Sequence, residues 1–212
     1  MKSRPFVFIN AAMSADGKIS TYDRRQVRIS NYEDMKRVDR LRAGSDAIMV
    51  GIGTVLADNP GLTVKSGDKN AIRIVVDSMA RTPVDAEVIF RKGGPTIIAV
   101  SKSAPSDRVS ALREKAEVIA VGDDRVLLSE LLADLKNRGI ERLMVEGGAT
   151  LNWSLISGGL VDEIYAYIGN IIIGGKTAPT LLDGVGLKEP MKLKLLSVER
   201  MGEGVLVKWR VL

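Results

Sequence analysis

The chain has 212 residues, 31 Lys and Arg against 26 Asp and Glu, a net charge of +5, and neither histidine nor cysteine. Those two absences exclude a disulfide framework, a thiol nucleophile, Cys or His zinc sites and the serine–histidine triad together. At 45% hydrophobic and 27% charged the composition is that of a folded globular protein, so its chemistry rests on carboxylates, lysine, hydroxyls, backbone groups or an organic cofactor. From the N-terminus, Phe6–Met13 is a predicted strand. Asn31–Ala43 is a predicted helix with Tyr32, Met35, Val38 and Leu41 as its apolar face, stopped by Gly44. Strands follow at Ala47–Val50, Arg73–Asp77 and Thr96–Val100. A helix over Asp107–Lys115 buries Val109, Leu112 and Ala116, and Glu117–Val121 is a strand. Ser129 is expected to cap a helix carrying Leu131, Leu132 and Leu135, before a strand at Arg142–Glu146 and a helix at Ala149–Ser157.

After Gly159 the pattern changes. Glu163–Ile168 is a predicted strand, Asn170–Leu182 a loop with short extended pieces, and Lys192–Glu199 with Val205–Val211 a hairpin turning at Gly202-Glu203-Gly204. Successive βαβ units imply a mainly parallel central sheet flanked by helices, and the closing hairpin implies antiparallel strands at one edge. The length fits a single domain over 1–212, at most a lobed one. No stretch approaches the roughly 20 apolar residues of a membrane span, and Met1–Pro5 runs straight into a strand with no leader pattern. The expectation is a cytoplasmic protein that binds no membrane. The positive charge favours anionic ligands, but with 4% aromatics and no dense basic run, nucleic acid is not an expected partner.

Three turns carry candidate chemistry. Val50-Gly51-Ile52-Gly53-Thr54 follows a buried strand as a phosphate-binding turn does, although Leu56 stands where a Rossmann motif needs its third glycine. A helical turn there puts Thr54 and Asp58 on one side. A plain strand-to-helix turn accounts for the segment equally well. Val145-Glu146-Gly147-Gly148-Ala149-Thr150-Leu151-Asn152 is a second strand–glycine–helix junction, whose first helical amides suit a phosphate. No P-loop lysine follows, so nucleotide hydrolysis is not expected. Glu146 beside a phosphate must face elsewhere, toward a substrate cleft or simply toward solvent. Val76-Asp77-Ser78-Met79-Ala80-Arg81 ends a third strand; Ser78 and Arg81 suit a 2′-phosphate, while Asp77 alone argues for a free ribose.

Taken in order, Met13-Ser14-Ala15-Asp16-Gly17-Lys18-Ile19, Leu41-Arg42-Ala43-Gly44-Ser45-Asp46-Ala47, the Gly51–Pro60 turn with Leu62-Thr63-Val64, Val76-Asp77-Ser78, and Val145–Leu151 with Gly159–Glu163 resemble the reductases of riboflavin biosynthesis. The likeness spans nearly the whole chain. It implies a dihydrofolate-reductase-like fold, NADPH as hydride donor, a small phosphorylated substrate and a homodimer, for which the late strands Glu163–Ile168 and Val205–Val211 are apolar enough to need a partner. By the same resemblance, Thr54, Asp58, Ser78 and the Gly148, Ala149, Thr150 and Leu151 helix start hold the cofactor, joined by Arg81 from the reading of its own loop. Arg42 takes the substrate 5′-phosphate, its guanidinium expected free to leave the core side of the helix. Lys65 and Gln26 stand where bacterial relatives place an arginine and a serine. Asn10 and Leu62 also face substrate, and Lys18 and Glu146 reach the ribose as candidate catalytic groups. No metal is expected. Without His or Cys the chain holds no zinc deaminase, so it is similar to the stand-alone reductases rather than to the bifunctional bacterial enzymes. The rivals are a dihydrofolate reductase, whose substrate would leave a phosphate site unused, and a basic nucleotide- or RNA-binding module.

Overall fold

A computed structural model describes residues 3–25, 27–66, 71–91 and 93–212. The elements run β1 (Phe6–Met13), α1 (Tyr32–Ala43), β2 (Ala47–Gly51), α2 (Ile52–Asp58), β3 (Ile72–Val76), α3 (Glu87–Phe90), β4 (Thr96–Val100), α4 (Ser106–Arg113), β5 (Glu117–Ala120), α5 (Leu128–Asn137), β6 (Arg142–Val145), α6 (Ala149–Ser157), β7 (Glu163–Ile168), β8 (Leu193–Met201) and β9 (Gly204–Val211). The architecture is α/β, mostly parallel, with the two last strands antiparallel, as the sequence pattern predicts. The chain packs as two compact units, one of Met1–Phe6 and Arg40–Met144, the other of Val7–Asp39 and Val145–Leu212.

In the first unit the strand order is β5-β4-β3-β2-β6. β2, β3, β4 and β5 pair in parallel, with Met49 against Ile74, Ile74 against Ile97 and Ile98 against Val118. β4 is buried at every position, the near-continuous apolar run that a covered parallel strand needs. Ile48, Val50, Val75, Ile98 and Val100 form the core with Val55, Leu62, Val88 and Leu112. Leu131, Leu132 and Leu135 of α5 are fully buried, each burial contributing about 1.5–3 kcal/mol. Ser129, expected as the cap of that helix, lies inside it. The helix starts at Leu128 and has no side-chain cap. Its entry is fixed by tertiary bonds instead: Val126 N–H donates to Ser78 Oγ at 3.1 Å and Leu127 N–H to Val121 O at 3.3 Å. The single-turn α3 carries no periodicity long enough to be read in sequence.

In the second unit the order is β1-β7-β9-β8. β1 and β7 are parallel, Phe8 against Glu163 through Met13 against Ile168; β9 runs antiparallel to both β7 and β8. β7 is therefore paired along both edges within the chain, and the apolar character of β7 and β9 is absorbed by the fold. The exposed apolar strand is β8.

The face expected for α1 is not the buried one. Tyr32 and Met35 are 65% and 45% exposed, while Asp34 and Arg37 are buried. Asp34 accepts from Ser30 Oγ at 2.5 Å and from Arg37 Nε at 2.8 Å, so an ion pair with its hydrogen bonds fills the inner face. Asn31 caps the helix: its Oδ1 accepts from Asp34 N–H at 2.8 Å. The same amide donates to Met201 O at 2.7 Å, and a Cβ at Gly202, whose φ is 60°, would collide with it. The β8–β9 turn therefore needs glycine on both counts.

Candidate active site

In the first unit, Gly51 pairs with Val76, so the loops that leave β2 and β3 emerge side by side. This is the edge of a parallel sheet where ligands bind in α/β folds. α2 buries Ile52 and Val55, which leaves Thr54 half-buried and Asp58 exposed on its other side. A Cβ at Gly53 would meet nothing within 4 Å, so the protein itself does not demand glycine there. Protein packed near Asp58 pushes its carboxyl above the ordinary carboxylate value, although the residue reaches solvent.

The loop after β3 separates its two charges. Asp77 is fully buried, and its Oδ2 accepts from Thr82 N–H at 2.7 Å and Thr82 Oγ1 at 2.8 Å. It cannot meet a ribose. Arg81 is 52% exposed, its Nε 3.8 Å from Asp77 Oδ1, a contact that leaves the guanidinium's positive charge at the rim. Ala80 takes φ 51° between them. Ser78 is held by its neighbours: its hydroxyl accepts from Val126 N–H, and its carbonyl from Ser101 N–H at 3.1 Å and Ser101 Oγ at 2.7 Å. Arg81 and Arg108 share a shallow cleft of about 320 Å³ floored by Ala80, Val84, Ala111 and Leu112.

Arg42, in the last turn of α1, donates from Nη1 to Thr63 O at 3.0 Å. This bond fastens the side chain to the segment that holds Leu62 and Lys65. These three predicted substrate residues thus share one neighbourhood. Leu62 is buried in the core with φ 47°, so its backbone rather than its side chain is available to a ligand. Lys65 is exposed.

The second unit carries the other predicted residues. β6 ends at Val145, Glu146 is half-buried, and Gly147 takes φ 103°, where any side chain is strained. α6 then starts behind Gly148 with no side-chain cap. The amides of Ala149, Thr150 and Leu151 lie in the helical turn that has no intrahelical partner for its N–H groups. Ala149 and Leu151 are buried and Thr150 exposed, so this junction offers backbone donors. Asn10, on β1, is 5% exposed and its Oδ1 has no hydrogen-bond partner. Lys18 closes a turn whose Ser14 Oγ accepts from Lys18 N–H at 2.9 Å, and its Nζ donates to Ala178 O at 3.1 Å. Lys18 makes no ion pair among the described residues. Gln26 lies outside the described residues.

Each unit by itself offers groups that suit an anion: the first an exposed arginine beside a carboxylate turned inward, the second uncapped helix amides. Residues 5–207 match the family model described as the RibD C-terminal domain. The chain belongs to that family. It is 50% identical over 215 residues to the 2,5-diamino-6-ribosylamino-4(3H)-pyrimidinone 5′-phosphate reductase of Archaeoglobus fulgidus, covering 96% of this chain and 97% of that one. A riboflavin biosynthesis reductase of Saccharomyces cerevisiae superposes with a TM-score of 0.79 at 25% identity, over 100% of this chain and 92% of that one. A pyrimidine reductase-like protein of Corynebacterium diphtheriae shares the fold with a TM-score of 0.86 at 18% identity, over 98% and 92% of the two chains. The dihydrofolate-reductase-like architecture expected from the sequence therefore stands.

Within this RibD C-terminal-domain chain, sequence reasoning missed two residues beside the Ser78–Arg81 loop. Val126 holds Ser78 across 48 positions, and no local pattern announces such a contact. Arg108 reaches the Arg81 cleft from α4, where it reads as an ordinary solvated helix charge. Asn152 closes the second glycine junction in the sequence, but its burial inside α6 is seen only in the structure.

Proposed function

We propose that this chain is an NADPH-dependent reductase that converts the ribosyl group of 2,5-diamino-6-ribosylamino-4(3H)-pyrimidinone 5′-phosphate to a ribityl group in riboflavin biosynthesis. The observation that carries this reading is end-to-end identity of 50% with the Archaeoglobus fulgidus protein of that name. The cofactor supplies a hydride to C1′ of the sugar once the ring has opened to an imine. The residues of this chain bind, orient and move protons around that transfer.

The cofactor residues in this reading are Thr54, Asp58, Ser78 and Arg81 from the first unit, and the amides of the Gly148–Leu151 helix start from the second. The inward turn of Asp77 supports a 2′-phosphate there, because a carboxylate in that position would repel it. Arg42, with Lys65 and the Leu62 backbone beside it, holds the substrate 5′-phosphate. That neighbourhood favours a phosphorylated substrate over dihydrofolate. Asn10 and Gln26 complete the substrate residues. Opening the ribosylamine ring puts a proton on the ring oxygen, and reducing the imine consumes another. Glu146 and Lys18 move or orient those protons at the ribose, directly or through a hydroxyl or water.

The reading includes a homodimer. β8, at the end of the strand order of its unit, exposes Leu193, Leu195 and Val198, an apolar strand edge that stable proteins cover. It also keeps the protein in the cytoplasm: no cysteine calls for an oxidising compartment, and no helix among the described residues is long and apolar enough to cross a membrane. The reading is tested by NADPH oxidation with the pyrimidinone phosphate, its dephosphorylated form and dihydrofolate. Turnover with the first and loss of apparent affinity with the second are expected; turnover with dihydrofolate alone would overturn it.

A further inference from the structure

The second unit holds one buried amide that neither its packing nor the proposed chemistry uses. Asn152, in the first turn of α6, is 1% exposed. Its Nδ2 donates to Leu181 O at 3.0 Å, while Oδ1 has no partner. An unpaired buried acceptor disfavours the fold, and a leucine of similar volume would avoid the cost. Helix propensity does not ask for asparagine there either. The amide lies against the glycine turn: a Cβ on Gly147 would sit 3.8 Å from Nδ2.

Leu181 belongs to segment 178–184, which is fastened on two sides. Toward α6, Asp183 N–H donates to Ala149 O at 3.3 Å, and Gly184 lies so flat against Trp153 that a Cβ there would collide with the indole. Toward the N-terminal turn, Lys18 Nζ donates to Ala178 O at 3.1 Å and Ile19 N–H to Pro179 O at 2.9 Å. Lys18 and Thr180 form an antiparallel bridge. Between the two fastenings, Thr180 Oγ1 donates to Asp183 Oδ1 at 2.6 Å and keeps the segment turned. With Asn152 N–H donating to Gly148 O at 2.9 Å, a continuous set of bonds runs from Gly148, at the end of the turn that follows Glu146, to the backbone of Lys18.

We propose that Asn152 is a positioning residue that holds the Glu146–Gly148 turn and the Lys18 turn in register through segment 178–184. It acts through those residues and rests on the reading that Glu146 and Lys18 serve the ribose. The polar tie, rather than the filled volume, is what the reaction needs.

The test separates volume from polarity. Asn152→Leu keeps the volume and removes both the orphan acceptor and the donor. Asn152→Asp keeps the shape and turns an acceptor toward the Leu181 carbonyl. Asn152→Leu should melt at or above the wild-type temperature. In both variants the Ile19 amide should exchange with solvent about tenfold faster or more, because its tether is loosened. In both, kcat should fall about tenfold with KM for NADPH within about twofold, the signature of lost alignment rather than lost cofactor binding. Wild-type exchange at Ile19 in Asn152→Leu overturns the tie, and Asn152→Asp decides it should the leucine variant not fold. Faster exchange with unchanged kcat makes Asn152 structural and overturns the positioning role. If the wild-type protein does not turn over the pyrimidinone phosphate, the proposed function and the positioning role fail together, and exchange at Ile19 still decides whether the tie exists.

Discussion

At the scale of single residues, the account turns on where each charge is spent. Asp77 is committed to Thr82 and Arg81 is not committed strongly to anything, so the β3 loop presents a positive rim. A charge-assisted contact to phosphate is worth about 1.5–3 kcal/mol, so Arg81→Ala should weaken NADPH roughly tenfold or more and leave NADH nearly unchanged. Equal losses for both cofactors in a binding titration would make Arg81 structural. In the proposed reading Arg42 binds a phosphate remote from C1′ in ground and transition state alike, so Arg42→Ala should raise the substrate KM while largely sparing kcat. An unchanged KM would put the phosphate elsewhere. Glu146→Gln keeps shape and hydrogen bonding but removes proton capacity, and kcat should drop about 10²-fold or more if Glu146 moves a proton. A raised KM with constant kcat would leave it only the role of orienting the ribose.

At the scale of elements, one carboxylate adds to the backbone bonds that tie the turn of residues 14–18 to the segment after β7. Asp16 accepts from Ser14 Oγ, Ile173 N–H at 3.0 Å and Gly174 N–H at 2.7 Å, bonds that lower its carboxyl from 3.8 to about 2. A depressed carboxylate stabilises the fold above its unfolded value and stops doing so as pH falls through its folded value. The stability difference between wild type and Asp16→Asn should therefore hold above 3.8 and shrink toward pH about 2. A constant difference across that window, measured by denaturant unfolding, would mean the charge does not matter. The same scale shows what sequence reveals. Strands such as β4, apolar at every position, and the α5 leucine stripe are legible because burial is written in their periodicity. The inner face of α1 is not, because an Asp34–Arg37 pair with its own hydrogen bonds takes the place that Tyr32 and Met35 occupy in the pattern. The start of α5 escapes for a related reason: bonds to Ser78 and Val121, not Ser129, set it.

At the scale of the whole molecule, β8 is the apolar strand left uncovered, with Val198 58% and Leu195 55% exposed. Replacing both by lysine should convert a concentration-independent dimer to monomer in sedimentation, since edge charges block strand-edge association. A wild-type monomer at all concentrations would contradict the proposed dimer. The candidate residues were legible where short turns close parallel strands, at Gly51, Asp77 and Gly147. They were not legible where distant segments steady those turns, as Val126 does for Ser78 and Leu181 does for Asn152. The central claim is that a nicotinamide hydride reaches C1′ of the ribosyl group. The most direct measurement is turnover of the pyrimidinone phosphate with NADPH carrying deuterium at both C4 positions of the nicotinamide, followed by mass and NMR analysis of the product. The account predicts one deuterium, located at C1′ of a ribityl group. A reduced product with no deuterium, or with deuterium on the pyrimidine, would contradict it.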